Sequence, residues 1–193
     1  MKARTLDVLD RTLSEEYDIN LNACSDHKFK FYKEELMLDP VNWDDYYTKL
    51  SKYGFNWTEF KYEKVSKEEI KLDSIFDKDD TGVYLFIVKS NLLIHDMPKF
   101  VLYVGIAGEN DTNRPLKDRL RDYFYYNQMK KRGRIHMLLR KYYKNVYVAF
   151  SYLNLPFNEL RQIETDLHGF FYPIYSERDF PAPLKKTRKS FPS

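Results

Sequence analysis

The sequence has few cysteines and glycines and no long apolar run, and each shortage excludes a class of protein. Cys24 is the single cysteine among 193 residues, so an intramolecular disulfide is excluded and a reducing compartment is favoured. No apolar run reaches the length of about 18 residues that a membrane-spanning helix needs, and the N-terminus lacks the apolar core of a secretory signal. With 6 glycines in all, a glycine within a motif carries more information than usual. We expect a cytoplasmic protein without a membrane partner.

Charge is divided unevenly along the chain. Residues 1–80 carry 13 basic and 19 acidic side chains, whereas residues 81–193 carry 19 basic and 10 acidic ones. A basic segment of this length is typical of proteins that bind a phosphate backbone. The same surface also serves solubility alone, so charge by itself leaves both readings open.

The pattern of residues changes at a polar, acidic break, residues 77–80. Before the break, apolar residues recur at helical spacing, as from Leu6 to Leu13. Asp39-Pro40 is a typical helix start, because proline is tolerated in the first turn. We therefore expect a mostly helical, acidic extension over residues 1–79.

Apolar runs rich in β-forming residues follow the break, and helical patterns lie between and after them. The expected strands are residues 82–88, 100–104 and 146–153. The longest expected helices are residues 113–128 and 155–172. This order predicts an α/β domain over residues 80–180, with a small three-stranded, mainly antiparallel sheet flanked by helices. A basic tail is expected over residues 181–193.

Two tyrosines occupy matching places in the first two strands. Tyr84 follows Gly82-Val83 at the start of the first strand, and Tyr103 precedes Val104-Gly105 in the second. A hairpin can bring both phenols to one face of the sheet, where they could act on a substrate. In a chain with 17 tyrosines, the simpler reading of each is a packing residue with a solvated hydroxyl.

Arg119 and Tyr123 are four residues apart and therefore share one helical face. Leu116 and Leu120 border that face and would partly shelter the arginine. A sheltered guanidinium can bind a phosphate in bidentate fashion. It can equally extend over the core as an ordinary surface arginine.

Glu164 lies on an apolar stripe of the last expected helix. Leu160, Leu167 and Phe171 follow the same helical spacing. A carboxylate in such a position is costly unless it is paired or bound to a metal ion. A salt bridge and a hard-cation site completed by waters and substrate phosphate both fit this pattern.

Four elements in this order resemble the GIY-YIG nucleases, and the resemblance covers residues 80–178. The elements are Gly82-Val83-Tyr84, Tyr103-Val104-Gly105, Arg119 and Glu164. The stretches around Tyr103 and Arg119 are especially similar to the nuclease domain of the bacterial excision-repair incision subunit. The resemblance implies a GIY-YIG-like fold and a metal-dependent endonuclease that hydrolyses phosphodiester bonds of nucleic acid, with DNA the expected substrate.

The resemblance also implies a role for each matched residue. Tyr103 would be the general base or would orient the attacking water, and Tyr84 would support or share this role. Arg119 would hold the scissile phosphate, with Tyr123 beside it. Glu164 would anchor a single Mg²⁺ or Mn²⁺.

Several basic residues of the same region are expected to bind the nucleic-acid backbone. They are Arg114, Lys117, Lys130, Lys131, Arg132, Arg134 and Arg140. A homodimer would suit an enzyme that cuts both strands with one site in each subunit, and the sequence leaves this question open.

Two positions depart from the family pattern, and they favour an alternative. Ile106 stands where repair-type members have lysine, and Ser176 stands where many members have asparagine. The alternative is a catalytically weakened GIY-YIG-fold module that still binds nucleic acid. A further hypothesis treats the acidic extension as a segment that shields the basic surface.

Overall fold

The structure is a computed structural model, and it describes residues 40–89, 100–108, 114–173, 175–176 and 182. The helices expected before residue 40 and the basic tail beyond residue 182 lie outside the described residues. Within the described part of the chain, no helix has the length and apolar character needed to cross a membrane.

The described part of the chain forms helices and strands joined by short segments. The helices are α1 (Pro40–Ser51), α2 (Tyr62–Ser66), α3 (Leu116–Arg121), α4 (Tyr126–Met129), α5 (Gly133–Lys141) and α6 (Phe157–Phe171). The strands are β1 (Thr58–Lys61), β2 (Gly82–Val88), β3 (Phe100–Ala107) and β4 (Val146–Tyr152). Short 3₁₀ turns occur at Leu72–Ser74 and Asp122–Phe124.

The four strands form one antiparallel sheet in the order β1-β4-β2-β3. The predicted α/β class and antiparallel sheet are confirmed, but the prediction of three strands was wrong. β1 was missed because its four residues are too few to show a period-two pattern, and because Phe60 alone among them is buried. This strand comes from the predicted helical extension and pairs with β4 through Thr58↔Phe150 and its neighbours. The extension therefore contributes to the same sheet.

Helices cover both faces of the sheet, because side chains alternate between the faces along each strand. One face carries Tyr84 and Phe86 of β2 and packs against α2, α3 and α5. We call it the tyrosine face. The other face carries Val83, Leu85 and Ile87 and packs against α6 and part of α1. We call it the aliphatic face.

The helix predicted over residues 113–128 is interrupted. α3 ends at Arg121, a 3₁₀ turn follows, and Tyr125 has an extended backbone before α4 begins. Asp122, Tyr123 and Phe124 are all buried. The break thus coincides with a buried segment.

Candidate active site

Tyr84 reaches the site because the residue opposite it has no side chain. Its register partner in β3 is Gly105. A Cβ atom at Gly105 would lie 2.5 Å from both Cζ and the hydroxyl oxygen of Tyr84. The phenol therefore lies across the glycine, with its ring fully buried. The glycine of the Tyr103-Val104-Gly105 motif has a direct steric function here.

Three phenols meet on the tyrosine face. The Tyr84 and Tyr123 hydroxyls are 2.6 Å apart and share a hydrogen bond. The Tyr103 ring lies beside them, with its centroid 6.2 Å from that of Tyr84. Its register partner Phe86 packs its ring against both Tyr103 and Tyr123, with centroids 5.8 and 4.9 Å away. The cluster is thus held by packing and by hydrogen bonds together.

Arg119 joins this cluster from α3. Its Nε donates to the Tyr84 hydroxyl over 3.3 Å. The side chain is half-buried, and its Nε edge meets the phenols. The sequence predicted that Arg119 and Tyr123 would share a face of a regular helix. Tyr123 instead lies in the 3₁₀ turn, yet both side chains contact Tyr84.

Burial and charge act on the phenols in opposite directions. Burial raises the pKa of Tyr84, Tyr103 and Tyr123 well above the usual value, because a buried phenolate is poorly solvated. The positive charge of Arg119 lowers the pKa of all three. In the protein without substrate the phenols are therefore neutral at pH 7 and act as hydrogen-bonding groups.

Glu164 is half-buried on α6, whose apolar side chains Leu160, Ile163 and Leu167 pack on the aliphatic face. Burial is the main cause of the raised pKa of the Tyr103 phenol, and the negative charge of Glu164 raises it further. β3 is the last strand of the sheet order, and α6 packs against it. Arg119 and Glu164 thus act on the same phenol.

The residues present fit a site with a single carboxylate ligand. Among the described residues, no group of three or more His, Cys, Asp or Glu side chains is arranged to hold a metal ion. Mg²⁺ is commonly bound through one or two carboxylates together with waters and substrate phosphate. Glu164 could supply that carboxylate beside Tyr103, and a phosphate held by Arg119 would complete the oxygen ligands.

The predicted nucleic-acid-binding residues fall into two groups. Arg114 and Arg132 both form ion pairs with Asp122, and Lys117 lies 3.5 Å from the Asp73 carboxylate. The other four are exposed, in the turn between α4 and α5 and along α5. They are Lys130, Lys131, Arg134 and Arg140.

Sequence reasoning missed two buried residues that support the site. Tyr62 of α2 is fully buried, and its hydroxyl donates to the Tyr123 carbonyl oxygen over 2.9 Å. Asp122 is buried directly before Tyr123 and binds two arginines. Tyr62 gave no signal because its partner is 61 residues away. Asp122 is eight residues from Arg114, a spacing that does not mark a pair on a regular helix.

The two departures from the family pattern are both buried. Ile106 is 2% exposed and packs on the aliphatic face, directed away from the phenols. Ser176 is 3% exposed and follows Tyr175, whose backbone N–H donates to the Leu102 carbonyl oxygen beside Tyr103. The segment after α6 therefore lies against β3, close to the cluster.

Comparison of this chain with protein-family models, with curated proteins and with solved structures gave no match.

Proposed function

We propose that this protein is a metal-dependent endonuclease of the GIY-YIG type that hydrolyses phosphodiester bonds of nucleic acid, with DNA the favoured substrate. One observation carries the proposal. Tyr84 and Tyr103 of adjacent strands, Tyr123 and Arg119 form one cluster, and the Glu164 charge acts on the same Tyr103 phenol. These residues come from β2, β3, the segment that begins with α3, and α6, which are separate elements of the fold.

Arg119 is the phosphate-binding group of the proposed mechanism. A guanidinium donates several hydrogen bonds in one plane and matches the oxygens of a phosphate. As water attacks phosphorus, charge builds on those oxygens, and a fixed guanidinium stabilises it. The contact between Arg119 Nε and the Tyr84 hydroxyl fixes one edge of the guanidinium.

Tyr103 is proposed to orient the attacking water, with Tyr84 and Tyr123 holding its phenol in place. Because burial raises its pKa, a tyrosinate is scarce at pH 7 in the resting protein, and the neutral hydroxyl positions water by hydrogen bonding. The positive charge of Arg119 lowers the same pKa and so favours the small phenolate fraction, which would accept the proton that the attacking water loses. The bond from phosphorus to the leaving oxygen then breaks, and that oxygen takes up a proton.

Glu164 would hold the metal ion. A bound Mg²⁺ or Mn²⁺ supplies positive charge that stabilises the leaving oxygen. Substitution of Glu164 by glutamine keeps the size of the side chain and removes its charge. The proposal also places the protein in the cytoplasm, which its single cysteine supports, and leaves open whether two copies act together.

Cleavage of a mixed panel tests the proposal directly. The panel contains labelled single-stranded, duplex and branched DNA and RNA, each incubated with and without Mg²⁺. We expect Mg²⁺-dependent cutting by the wild type and loss of at least about 100-fold in rate for Glu164→Gln, with binding retained. Glu159→Gln is the matched control, because Glu159 is exposed on the same helix. Equal activity of the two variants would refute the role of Glu164.

A catalytically weakened nucleic-acid-binding module is the second candidate. The burial of Ile106 favours it, since no charge can occupy that position in this chain. This candidate predicts that the panel is bound in a salt-dependent manner but is not cut with either metal ion. Binding without cleavage by the wild type would therefore select it over the endonuclease.

A further inference from the structure

A buried carboxylate links two arginines directly beside the phenol cluster. Asp122 accepts hydrogen bonds from both terminal nitrogens of Arg114, at 3.0 and 2.7 Å. Its Oδ2 also accepts from Arg132 Nη2 at 3.1 Å. The Asp122 side chain is 6% exposed, whereas those of Arg114 and Arg132 are 40% and 21% exposed. The carboxylate is thus the buried centre of the arrangement.

The arrangement fixes the place of Arg132. Its guanidinium carbon lies 4.8 Å from the centroid of the Tyr123 ring. Two guanidinium groups repel each other, so both remain close only while a negative charge lies between them. A buried ion pair is weak evidence for stability, because desolvation offsets much of the attraction. What the Asp122 carboxylate secures is the position of a cation against the Tyr123 ring.

Arg132 in turn affects the phenols of the site. Its charge lowers the pKa of both Tyr123 and Tyr84, in the same direction as Arg119. The cluster is therefore flanked by two cations that come from different segments of the chain. Arg119 approaches from α3, and Arg132 from the residue that precedes α5.

We propose that Asp122 is a positioning residue of the active site, which acts by holding the Arg132 guanidinium against the ring of Tyr123. This inference rests on the proposed endonuclease function. Asp122 itself does not contact the substrate, because its oxygens face the two arginines. Its substitution should therefore alter the rate of the chemical step through Arg132 and leave substrate binding largely intact.

Steady-state cleavage of the best substrate of the panel by the full chain tests this link. We expect Asp122→Asn to lower kcat by about tenfold or more with a smaller change in KM, because a displaced charge near the reacting groups is costly. Arg132→Gln should lower kcat to a similar extent, and Arg132→Lys, which keeps the charge, should lie between Arg132→Gln and the wild type. Lys144→Gln, an exposed charge loss after α5, is the matched control.

The double variant separates positioning from an independent effect. If Asp122 acts through Arg132, then Asp122→Asn adds little to the loss already caused by Arg132→Gln. If the double variant instead loses kcat by the product of the two single-variant losses, the inference is overturned. The melting temperature of each variant confirms folding, and Arg132→Gln tests the same link from its more exposed end should Asp122→Asn fail to fold.

The outcomes distinguish this inference from the function on which it rests. Cleavage by the wild type with an unchanged kcat for Asp122→Asn and Arg132→Gln would overturn the inference alone. In that case the ion pairs serve only stability, and a lower melting temperature would be their sole effect. Absence of cleavage by the wild type would overturn the proposed function and this inference together.

Discussion

The two faces of the sheet are built from the same strands but are stabilised by different interactions. On β2, Val83 and Leu85 direct aliphatic side chains to one face, while Tyr84 directs a phenol to the other. The aliphatic face is stabilised by removing apolar surface from water, which requires shape but no particular partner. On the tyrosine face each buried hydroxyl also needs a hydrogen-bonding partner, so position and orientation are fixed together.

This difference explains why the candidate site lies on the tyrosine face. Hydrogen bonds are directional, and the bond between the Tyr84 and Tyr123 hydroxyls holds both rings in one orientation. Catalysis benefits from polar groups that folding has already oriented, because no free energy is then needed to orient them during the reaction. The aliphatic face anchors α6, the helix that carries Glu164. One face provides stability, and the other carries the proposed site.

The largest expected loss of stability comes from the aliphatic face. Leu85→Ala should lower the free energy of unfolding by about 2–5 kcal/mol, because it leaves a cavity in a packed core. Tyr84→Phe, the neighbouring residue on the opposite face, should cost about 1–3 kcal/mol, since the Tyr123 hydroxyl loses a partner. Denaturant unfolding measures both values. In cleavage assays we expect the opposite order, with Tyr84→Phe losing more activity than Leu85→Ala. If Leu85→Ala caused the larger loss in both unfolding and cleavage, the proposed difference between the two faces would be contradicted.

The next effect concerns the glycine that admits Tyr84. Gly105→Ala should cost about 1–3 kcal/mol of unfolding free energy, because the new methyl group overlaps the Tyr84 ring. It should also reduce cleavage, since the phenol must move away from Arg119. Gly54→Ala is the matched control: Gly54 has φ +57° and no atom within 4 Å of an added Cβ, so it reports backbone strain alone. A Gly105→Ala variant with full activity would contradict the proposed packing.

The smallest expected effect is a pH-dependent one on the α6 side. Asp166 is 6% exposed, and this burial raises the pKa of its carboxyl group. The carboxyl group accepts a hydrogen bond from Gln162. A raised pKa in the folded state means that ionisation of this carboxyl lowers stability as pH rises. Asp166→Asn should therefore raise the melting temperature slightly at pH 7, and the gain should disappear below the usual carboxyl pKa.

Calorimetric scans from pH 3 to pH 8 measure this difference. Asp44→Asn, an exposed substitution on α1, provides the control and should leave the melting temperature almost unchanged at each pH. A loss of stability for Asp166→Asn at pH 7 would show that its charge is favourable. The aliphatic face would then depend on charge more than its composition suggests.

Local patterns were enough to place several elements. The run from Gly82 to Val88 forms β2 with the expected bounds, and the helix expected from Pro40 begins there. Runs of β-branched and aromatic residues identify a buried strand, and proline identifies a first helical turn, without help from the rest of the fold. β3 extends to Ala107, three residues beyond the expected strand, because Gly105 to Ala107 continue to pair with β2.

Other elements depend on partners that are distant in sequence. β1 is too short to be recognised, and it exists because β4 offers an unpaired edge to Thr58–Lys61. The helix breaks after Arg121, where Asp122 pairs with two arginines from other segments. Tyr62 supports Tyr123 from a segment that the sequence places in a separate extension. These contacts produce no periodic pattern in the nearby sequence, so they cannot be predicted from it.

The sequence by itself determined the antiparallel strands, the main helices and the residue types of the candidate site, because spacing and propensity act over a few residues. Tertiary structure alone decided that Tyr84, Tyr103 and Tyr123 share one cluster with Arg119, and that Asp122 holds Arg132 against it. The physical reason is that burial and directional hydrogen bonding depend on what lies opposite in space. Which residue lies opposite is determined only when the sheet and its helices pack together.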